Sequence, residues 1–215
     1  MPAEKFKPAL RAALRMHEIG NDTPYRLYFA AKGKSGASFG FMQGDLAAGQ
    51  VVVTKTFNDI LTSEGIPPSK INSLLAKLSV HTIGNPLNPS DTKLVNTALD
   101  KHRADVDEMD EAILSDVYQS LDTCISAASN GGKTISGKAM LYAALWINMA
   151  GPPTKFLDWL KGKDPHLIHP VPKAPALITG DDVRAYLMAT SYYVSNPGNA
   201  PHLDASVKAG EVLLP

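Results

Sequence analysis

The sequence has a single cysteine, Cys124, among its 215 residues. One thiol cannot form an internal disulfide, so the fold does not depend on an oxidising compartment. Cys124 falls within a helical pattern of apolar residues, where a cysteine more often belongs to the core than acts as a nucleophile. The sequence therefore excludes a small disulfide-stabilised scaffold and predicts no thiol chemistry.

The sequence also has no excess of charge of either sign, because 21 basic residues balance 21 acidic residues. A nucleic-acid-binding surface normally shows as a basic excess, so this balance argues against nucleic acid as a partner. The apolar share of 44% and the charged share of 20% are those of an ordinary soluble protein. The chain is long enough for one domain with a core of its own, which we expect over residues 1–215.

No uncharged run is long enough to cross a bilayer. The longest, Ala139 to Thr154, is shorter than the roughly 20 residues that a spanning helix needs, and Gly-Pro-Pro interrupts it. The first residues lead into an amphipathic helix and not into the apolar core of a signal peptide. We therefore expect no membrane insertion.

Patterns typical of metal sites are absent as well. The acidic run from Asp105 to Glu111 lacks the glycine of a calcium-binding loop, and apolar residues recur helically through it, so we interpret it as the solvated face of a helix. His166 and His169 are three residues apart, but prolines flank them and no carboxylate or cysteine partner is evident. We expect both in a surface loop. The sequence predicts neither a metal nor a cofactor.

What the sequence does contain is a strong helical pattern, with apolar residues at intervals of three and four and with Gly and Pro between the segments. Ser90 is the expected cap of one helix, and Thr179-x-x-Asp182 resembles a capping box for another. We expect an all-α fold, or at most an α-rich α+β fold, with any small sheet confined to residues 21–55. The predicted helices cover residues 4–19, 51–63, 69–78, 90–103, 106–130, 136–149, 153–160, 179–193 and 204–214. Two points stay open: the segment from Val51 to Val53 also suits a strand, and the helix that starts at Ser90 either continues or breaks near Arg103.

The residues most typical of a chemical site lie between Met16 and Gln50. Glu18 follows Leu14 by four positions, so it leans towards the apolar face of the first helix, and Gly20 then ends that helix. Burial of a carboxylic acid disfavours its charged form and raises its pKa. A carboxyl that stays protonated near neutral pH can act as a general acid.

A segment rich in glycine follows, from Ser35 to Asp45. Gly36, Gly40 and Gly44 permit tight turns and a close approach of the backbone to a ligand.

The segment Phe39-Gly40-Phe41-Met42-Gln43-Gly44-Asp45 resembles a signature of the lysozyme-like enzymes that cleave peptidoglycan, above all goose-type lysozymes and lytic transglycosylases. In that family a glutamate ends a helix, a loop follows, and a Gly-x-Phe-Gly-Leu-Met-Gln-x-Asp-like segment comes next. The resemblance implies that Glu18 is the catalytic acid and that Asp45 lies beside the cleft. It also implies a helical fold with the cleft between two lobes and with a small hairpin at most.

The base that would activate water is less well defined by the resemblance. A second family aspartate, earlier in the loop, is replaced here by Lys34. Asp45 is the first candidate for the base, and Asp22 is a substitute candidate. Asp45 also fits a simpler role, because an aspartate after a glycine commonly caps the next turn.

Further contacts to a glycan are implied around the same turn. Ser38, Phe39 and Gln43 belong to the glycine-rich segment, and Tyr25 is an aromatic residue suited to stacking on a sugar. Two of these residues have structural alternatives. Gln43 also suits bracing of the loop, and a serine in a turn usually bonds the backbone.

A second, weaker match lies far downstream. The segment Ile147-Asn148-Met149-Ala150-Gly151-Pro152 is similar to the family's Tyr-Asn-x-Gly-Pro segment, although it is one residue longer. The resemblance implies that Asn148 contacts the substrate. The family tyrosine, which contacts the substrate in lytic transglycosylases, is replaced by Ile147 or displaced to Trp146.

These features predict a muramidase, a glycoside hydrolase that cleaves peptidoglycan with Glu18 as general acid. Three alternatives stay open: a lytic transglycosylase, a chitosanase- or chitinase-like enzyme, and a lysozyme-like domain that binds a glycan or a partner protein without cleaving it. The expected partner is peptidoglycan or a related amino-sugar polymer.

The expected place of action is the periplasm or the outside of the cell. Because no signal peptide is visible, we expect a phage lysis or tail enzyme, or a toxin that a secretion machine delivers. An immunity protein or a delivery protein is then a further expected partner.

Overall fold

The computed structural model describes residues 4–31, 35–151 and 154–215. Helix accounts for 63% of the chain and strand for 4%, which confirms the α-rich fold class. The chain divides into two compact units, the first combining the residues up to Gly20 with Ser115–Pro215 and the second comprising Asn21–Leu114. The second unit is therefore an insertion in the sequence of the first. The single domain expected over 1–215 stays a prediction.

Helices dominate both units, and most of their bounds follow the predicted ones. α5 is the longest and contributes residues to both units. Short 3₁₀ helices cover Glu4–Phe6 and Pro197–Asn199. The α-helices of the described residues are α1 (Lys7–Glu18), α2 (Val51–Ser63), α3 (Pro68–Leu78), α4 (Pro89–Lys101), α5 (Arg103–Asn130), α6 (Gly137–Ala150), α7 (Thr154–Leu160), α8 (Gly180–Met188), α9 (Ser191–Ser195) and α10 (Ala200–Glu211).

The cap of α4 differs from the prediction. Asn88, and not Ser90, is the N-terminal cap, and its side-chain oxygen accepts the backbone N–H of Asp91 at 2.8 Å. The difference arises because Pro89 occupies the first helical position, where a proline has no N–H to lose and already has a helical φ. The sequence left open whether this helix continues or breaks near Arg103, and the structure shows a break, since α5 begins there.

The region after residue 178 contains two helices where one was predicted. The capping box is confirmed, with Thr179 Oγ1 accepting from Asp182 N and the Asp182 carboxylate accepting from Thr179 N. α8 nevertheless ends at Met188 and not at Tyr193. Thr190 adopts an extended conformation and its hydroxyl donates to the Leu187 carbonyl at 2.6 Å, which closes the first helix and starts the second.

Two sheets of two strands each are present in the described residues. β1 (Ser38–Phe39) pairs antiparallel with β2 (Gly44–Asp45), so the small hairpin of the glycine-rich segment is confirmed. β3 (Thr134–Ile135) pairs in parallel with β4 (Leu177–Ile178) in the first unit. The prediction that any sheet lies within residues 21–55 is therefore wrong. A two-residue strand is too short to show the alternating pattern on which sequence detection depends.

In the first unit, α6 is the central helix, as its apolar sequence predicts. It packs against α1, α8 and α10, and residues on every side of it from Leu141 to Ile147 are buried. α1 packs its small-residue face on α10, where a Cβ at Gly210 would overlap the Ala9 carbonyl oxygen. Cys124 is fully buried, which confirms it as a core residue, and burial raises the pKa of its thiol to about 12.

The second unit has its own apolar core beneath the glycine-rich segment. Phe39 and Phe57 are both fully buried, with ring centroids 6.2 Å apart. Other members come from α2, α3, α4 and the start of α5. They include Val53, Ile60, Leu61, Leu74, Leu78, Val95, Leu99, Val106 and Met109.

One acidic residue of the run from Asp105 to Glu111 lies inside this unit. Asp110 is fully buried, and its carboxylate oxygens accept the backbone N–H groups of Phe41 at 2.8 Å and Met42 at 3.0 Å. The run is helical, as predicted, but its interpretation as a solvated face is wrong for Asp110. The two hydrogen bonds satisfy N–H groups of a tight turn that no strand partner could reach.

We expect Gly40→Ala to destabilise the protein more than Gly84→Ala. Both glycines have a positive φ, +81° and +78°, so each substitution incurs the left-handed cost of about 1–2 kcal/mol. A Cβ at Gly40 would also overlap the Asp110 carboxylate, whereas a Cβ at Gly84 meets no atom within 4 Å. Urea unfolding of both variants measures the difference. Equal losses would show that the turn moves away from Asp110 at no cost.

Candidate active site

The first candidate residue, Glu18, is the last residue of α1 and is half-buried. The helix ends there because Gly20 adopts a positive φ of +58° and its N–H bonds the Arg15 carbonyl. Burial raises the pKa of Glu18, while the Asn148 hydrogen bond and the charge of His202 lower it. The net direction is upwards, which is the direction that the sequence predicts for a partly buried acid.

Asn148 is brought to Glu18 by the packing of α6 on α1. Its side-chain Nδ2 donates to Glu18 Oε1 at 2.8 Å, across 130 residues of sequence. The amide fixes one oxygen of the carboxyl group, and the described residues give the other oxygen, Oε2, no hydrogen-bond partner. Oε2 is therefore the oxygen on which an acidic proton can reside.

The residue before Asn148 in the family-like pattern is not a tyrosine, and both candidates for that role are buried. Ile147 is buried in the core. Trp146 is 8% exposed and lies with its ring centroid 6.2 Å from those of Tyr192 and Tyr193. Its indole nitrogen is buried without a hydrogen-bond partner in the described part of the chain.

A pair of histidines, His17 and His202, adjoins Glu18. Their rings stack with centroids 4.8 Å apart, and His202 Nε2 lies 2.8 Å from the His17 backbone oxygen. His17 Nδ1 lies 3.3 Å from the hydroxyl of the buried Ser206, which donates to the His202 carbonyl. Sequence analysis missed His202 because no local pattern connects α10 with the end of α1.

The two histidines differ in exposure. His17 is half-buried, and burial together with the charge of His202 lowers its pKa to about 4. It is therefore neutral near neutral pH and does not compete with Glu18 as a charged group. His202 is exposed to solvent although its orientation is fixed by the stack and the hydrogen bond.

The turn in the second unit that carries the family-like segment is held by its own side chains. Ser38 Oγ donates to Gln43 Oε1 at 2.7 Å, and Gln43 Nε2 donates to the Gly40 carbonyl at 3.0 Å. Gln43 itself adopts a positive φ of +52°, which is strained for a residue with a Cβ. These contacts brace the turn, in agreement with the structural role that was the alternative for Gln43. The Asp110 carboxylate also holds this turn, because it accepts the backbone N–H groups of Phe41 and Met42.

Asp45 accepts two backbone hydrogen bonds within the same unit. Its Oδ1 accepts the N–H of Gly36 at 3.0 Å and that of Ala47 at 2.8 Å. This geometry is that of an aspartate that closes a turn. The role of Asp45 as a catalytic base stays a prediction. Asp22, the substitute candidate, is an exposed residue that pairs with Arg26 at 2.9 Å. Lys34 lies outside the described residues.

The two aromatic candidates differ in their access to a ligand. The Phe39 ring is fully buried in the core of the second unit, so a direct contact with substrate has no support in this geometry. Tyr25 is half-buried, and its hydroxyl donates to the Asp107 carboxylate at 3.2 Å. The Arg103 guanidinium covers the Tyr25 ring at 4.9 Å. A sugar that stacks on Tyr25 would have to use the other face or displace Arg103.

Within the described ranges, no group of three or more His, Cys, Asp or Glu side chains is arranged to hold a metal ion. None of the helices described is long and apolar enough to span a membrane. No protein-family model, curated protein or solved structure matches the chain.

We expect the pKa of Glu18 to lie above that of an ordinary glutamate, and the Asn148→Leu variant to raise it further. Leucine has the same branching at Cγ as asparagine but removes the donor that favours the ionised carboxyl. Carbon-detected NMR titration of labelled glutamate carboxyls measures both values. A lower pKa in the variant would show that the hydrogen bond favours the neutral acid.

We also expect His17 to weaken the fold in acid. Because its pKa in the folded protein is about 4 and that of an unfolded histidine is about 6.5, the unfolded state takes up the proton first. The stability that His17 contributes is therefore complete above about pH 6.5, and it is lost as the pH falls towards 4. His17→Asn, which keeps a donor near Ser206, should flatten the pH dependence of urea unfolding. The exposed His169→Asn should leave it unchanged.

Proposed function

We propose that this protein is a lysozyme-like muramidase, a glycoside hydrolase that cleaves peptidoglycan with Glu18 as its general acid. The observation that carries the proposal is the half-buried carboxyl at the end of α1, whose pKa burial raises and whose Oε1 is held by Asn148. Two residues that the family-like segments contain, Glu18 and Asn148, thus meet at hydrogen-bond distance. The finer fold assignment, a lysozyme-like helical fold, belongs to the same proposal.

In this proposal Glu18 Oε2 carries the proton and delivers it to the oxygen of the glycosidic bond. Protonation of the leaving oxygen allows the bond to break while positive charge develops on the sugar ring. Asn148 keeps the carboxyl group in one orientation by holding Oε1. After the transfer, the same amide stabilises the carboxylate that Glu18 becomes, since a donor favours the charged form.

The braced turn of the second unit supports a role in holding the glycan. A binding site needs groups whose positions are fixed before the ligand arrives. Ser38 and Gln43 are fixed by each other, and the turn that carries them is anchored by Asp110. We propose that this turn and Tyr25 bind an amino-sugar polymer. Delivery by a phage or a secretion machine, with an immunity or delivery protein as partner, is part of the same proposal.

One observation favours a second candidate, a lytic transglycosylase. Both N–H donors on Asp45 converge on Oδ1, so this carboxylate has a structural task that competes with activation of water. A transglycosylase needs no base for water, because a hydroxyl of the sugar attacks instead. Mass spectrometry of the products separates the two candidates, since the transglycosylase leaves anhydro-sugars and the hydrolase leaves reducing ends.

We expect Glu18→Gln to lose almost all cleavage of purified peptidoglycan. The amide cannot donate the proton on which leaving-group departure depends, and a general acid contributes roughly 100- to 10,000-fold in rate. Release of reducing ends and the fall in turbidity of a cell-wall suspension measure the loss. Wild-type activity in the variant would overturn the assignment of Glu18.

The matched control is Glu211→Gln, which removes an exposed carboxyl at the end of α10. It should cleave peptidoglycan at the wild-type rate. Glu18→Gln should also keep its melting temperature near neutral pH, because glutamine is similar in size to the protonated acid and its amide oxygen can still accept the hydrogen bond from Asn148. A protein that unfolds on this substitution would make Glu18 structural.

A further inference from the structure

The strongest unassigned feature is the exposed but immobilised ring of His202. An exposed histidine normally samples several rotamers, because nothing outweighs the entropy of its side chain. Here the ring stacks on His17 at 4.8 Å with 27° between the planes, and its Nε2 bonds the His17 carbonyl at 2.8 Å. Fixing the orientation of an exposed side chain costs conformational entropy, and a functional site can require such a fixed orientation.

The hydrogen bonds also fix which ring nitrogen carries the proton. A carbonyl oxygen only accepts, so His202 Nε2 must be the donor to His17. In the neutral ring, Nδ1 then carries a lone pair and no proton. The described residues provide no hydrogen-bond partner for that nitrogen. An oriented lone pair beside the residue that precedes Glu18 is the arrangement of a proton acceptor.

The rest of the cluster supports this arrangement. Ser206 uses its single hydroxyl proton for the His202 carbonyl, so its oxygen is left to accept from His17 Nδ1. Together these hydrogen bonds form a clamp between the start of α10 and the end of α1, since His202 donates to His17 and His17 donates to Ser206. His202 thus lies beside His17, the residue that precedes Glu18 in α1.

We propose that His202 is the general base that activates the hydrolytic water, with Glu18 as the general acid. The proposal rests on the proposed function and deepens it by naming the second proton-transfer group. With His202 as the base, the general acid and the general base both belong to the first unit. Asp45 belongs to the second unit, and its Oδ1 accepts two backbone N–H groups of a turn there.

Glu18 donates its proton to the glycosidic oxygen as the bond from that oxygen to the anomeric carbon breaks. The oxygen of water forms the new bond to the anomeric carbon, and one proton of the water passes to His202 Nδ1. Two shorter glycans with free hydroxyls leave, and solvent returns the proton from His202 to Glu18.

The test uses His202→Gln in the full chain. The glutamine amide can occupy the position of Nε2 and donate to the His17 carbonyl, but it cannot accept a proton. We expect hydrolysis of peptidoglycan to fall by roughly 100-fold or more, with the melting temperature retained. Azide is a nucleophile that needs no base, so sodium azide should restore cleavage and give glycosyl azide products, which mass spectrometry identifies.

Three controls accompany this variant. His169→Gln, at an exposed histidine of the loop before α8, should keep the wild-type rate. Ser206→Ala loosens the clamp but keeps the base, so its smaller loss should not respond to azide. Asp45→Asn tests the competing carboxylate, and we expect no glycosyl azide from it.

Several outcomes overturn the proposal for His202. They are a wild-type rate in His202→Gln, a loss that azide does not restore, azide products from Asp45→Asn instead, or anhydro-sugars as wild-type products. In each of these cases Glu18-dependent cleavage still stands if Glu18→Gln is inactive. If the wild-type protein releases no sugar from peptidoglycan, the proposed function itself fails and this inference fails with it.

Discussion

The arrangement of the first unit depends on one constraint, the placement of a half-buried carboxylic acid at the end of a helix. Desolvation favours the neutral form of Glu18, and its surroundings must satisfy the group without reversing that preference. A single neutral amide, Asn148, meets this requirement because it bonds one oxygen and adds no charge. A lysine or arginine at that position would pair with the carboxylate and remove its acidic character.

The second unit uses a buried carboxyl for the opposite purpose. Asp110 accepts two backbone N–H groups, and an overlap with its oxygens is what restricts position 40 to glycine. The Asp110 carboxylate therefore has a structural role, because it holds two backbone N–H groups of the turn. Glu18 differs from Asp110, because one of its oxygens has no hydrogen-bond partner among the described residues. Burial alone therefore does not distinguish a structural carboxyl from a candidate catalytic acid.

The parts of the fold that could be predicted are those that depend on local sequence. Apolar spacing located the helices, and Thr179 with Asp182 formed the capping box as predicted. β3 and β4 were missed because two-residue strands have no period to detect. Asp110 and His202 were missed because their roles come from partners 69 and 185 residues away, which nothing in the neighbouring sequence encodes.

The division of the chain has a consequence for its synthesis. Glu18 is made early, but Asn148 follows 130 residues later and the α10 residue that bonds the end of α1 comes later still. The inserted unit consists of one continuous segment, so it can fold while the remainder is still being translated. The surroundings of Glu18 therefore assemble last, and a nascent or truncated chain that stops before α10 has an acid without its surroundings. For the muramidase proposed above, late assembly would delay the onset of a harmful activity.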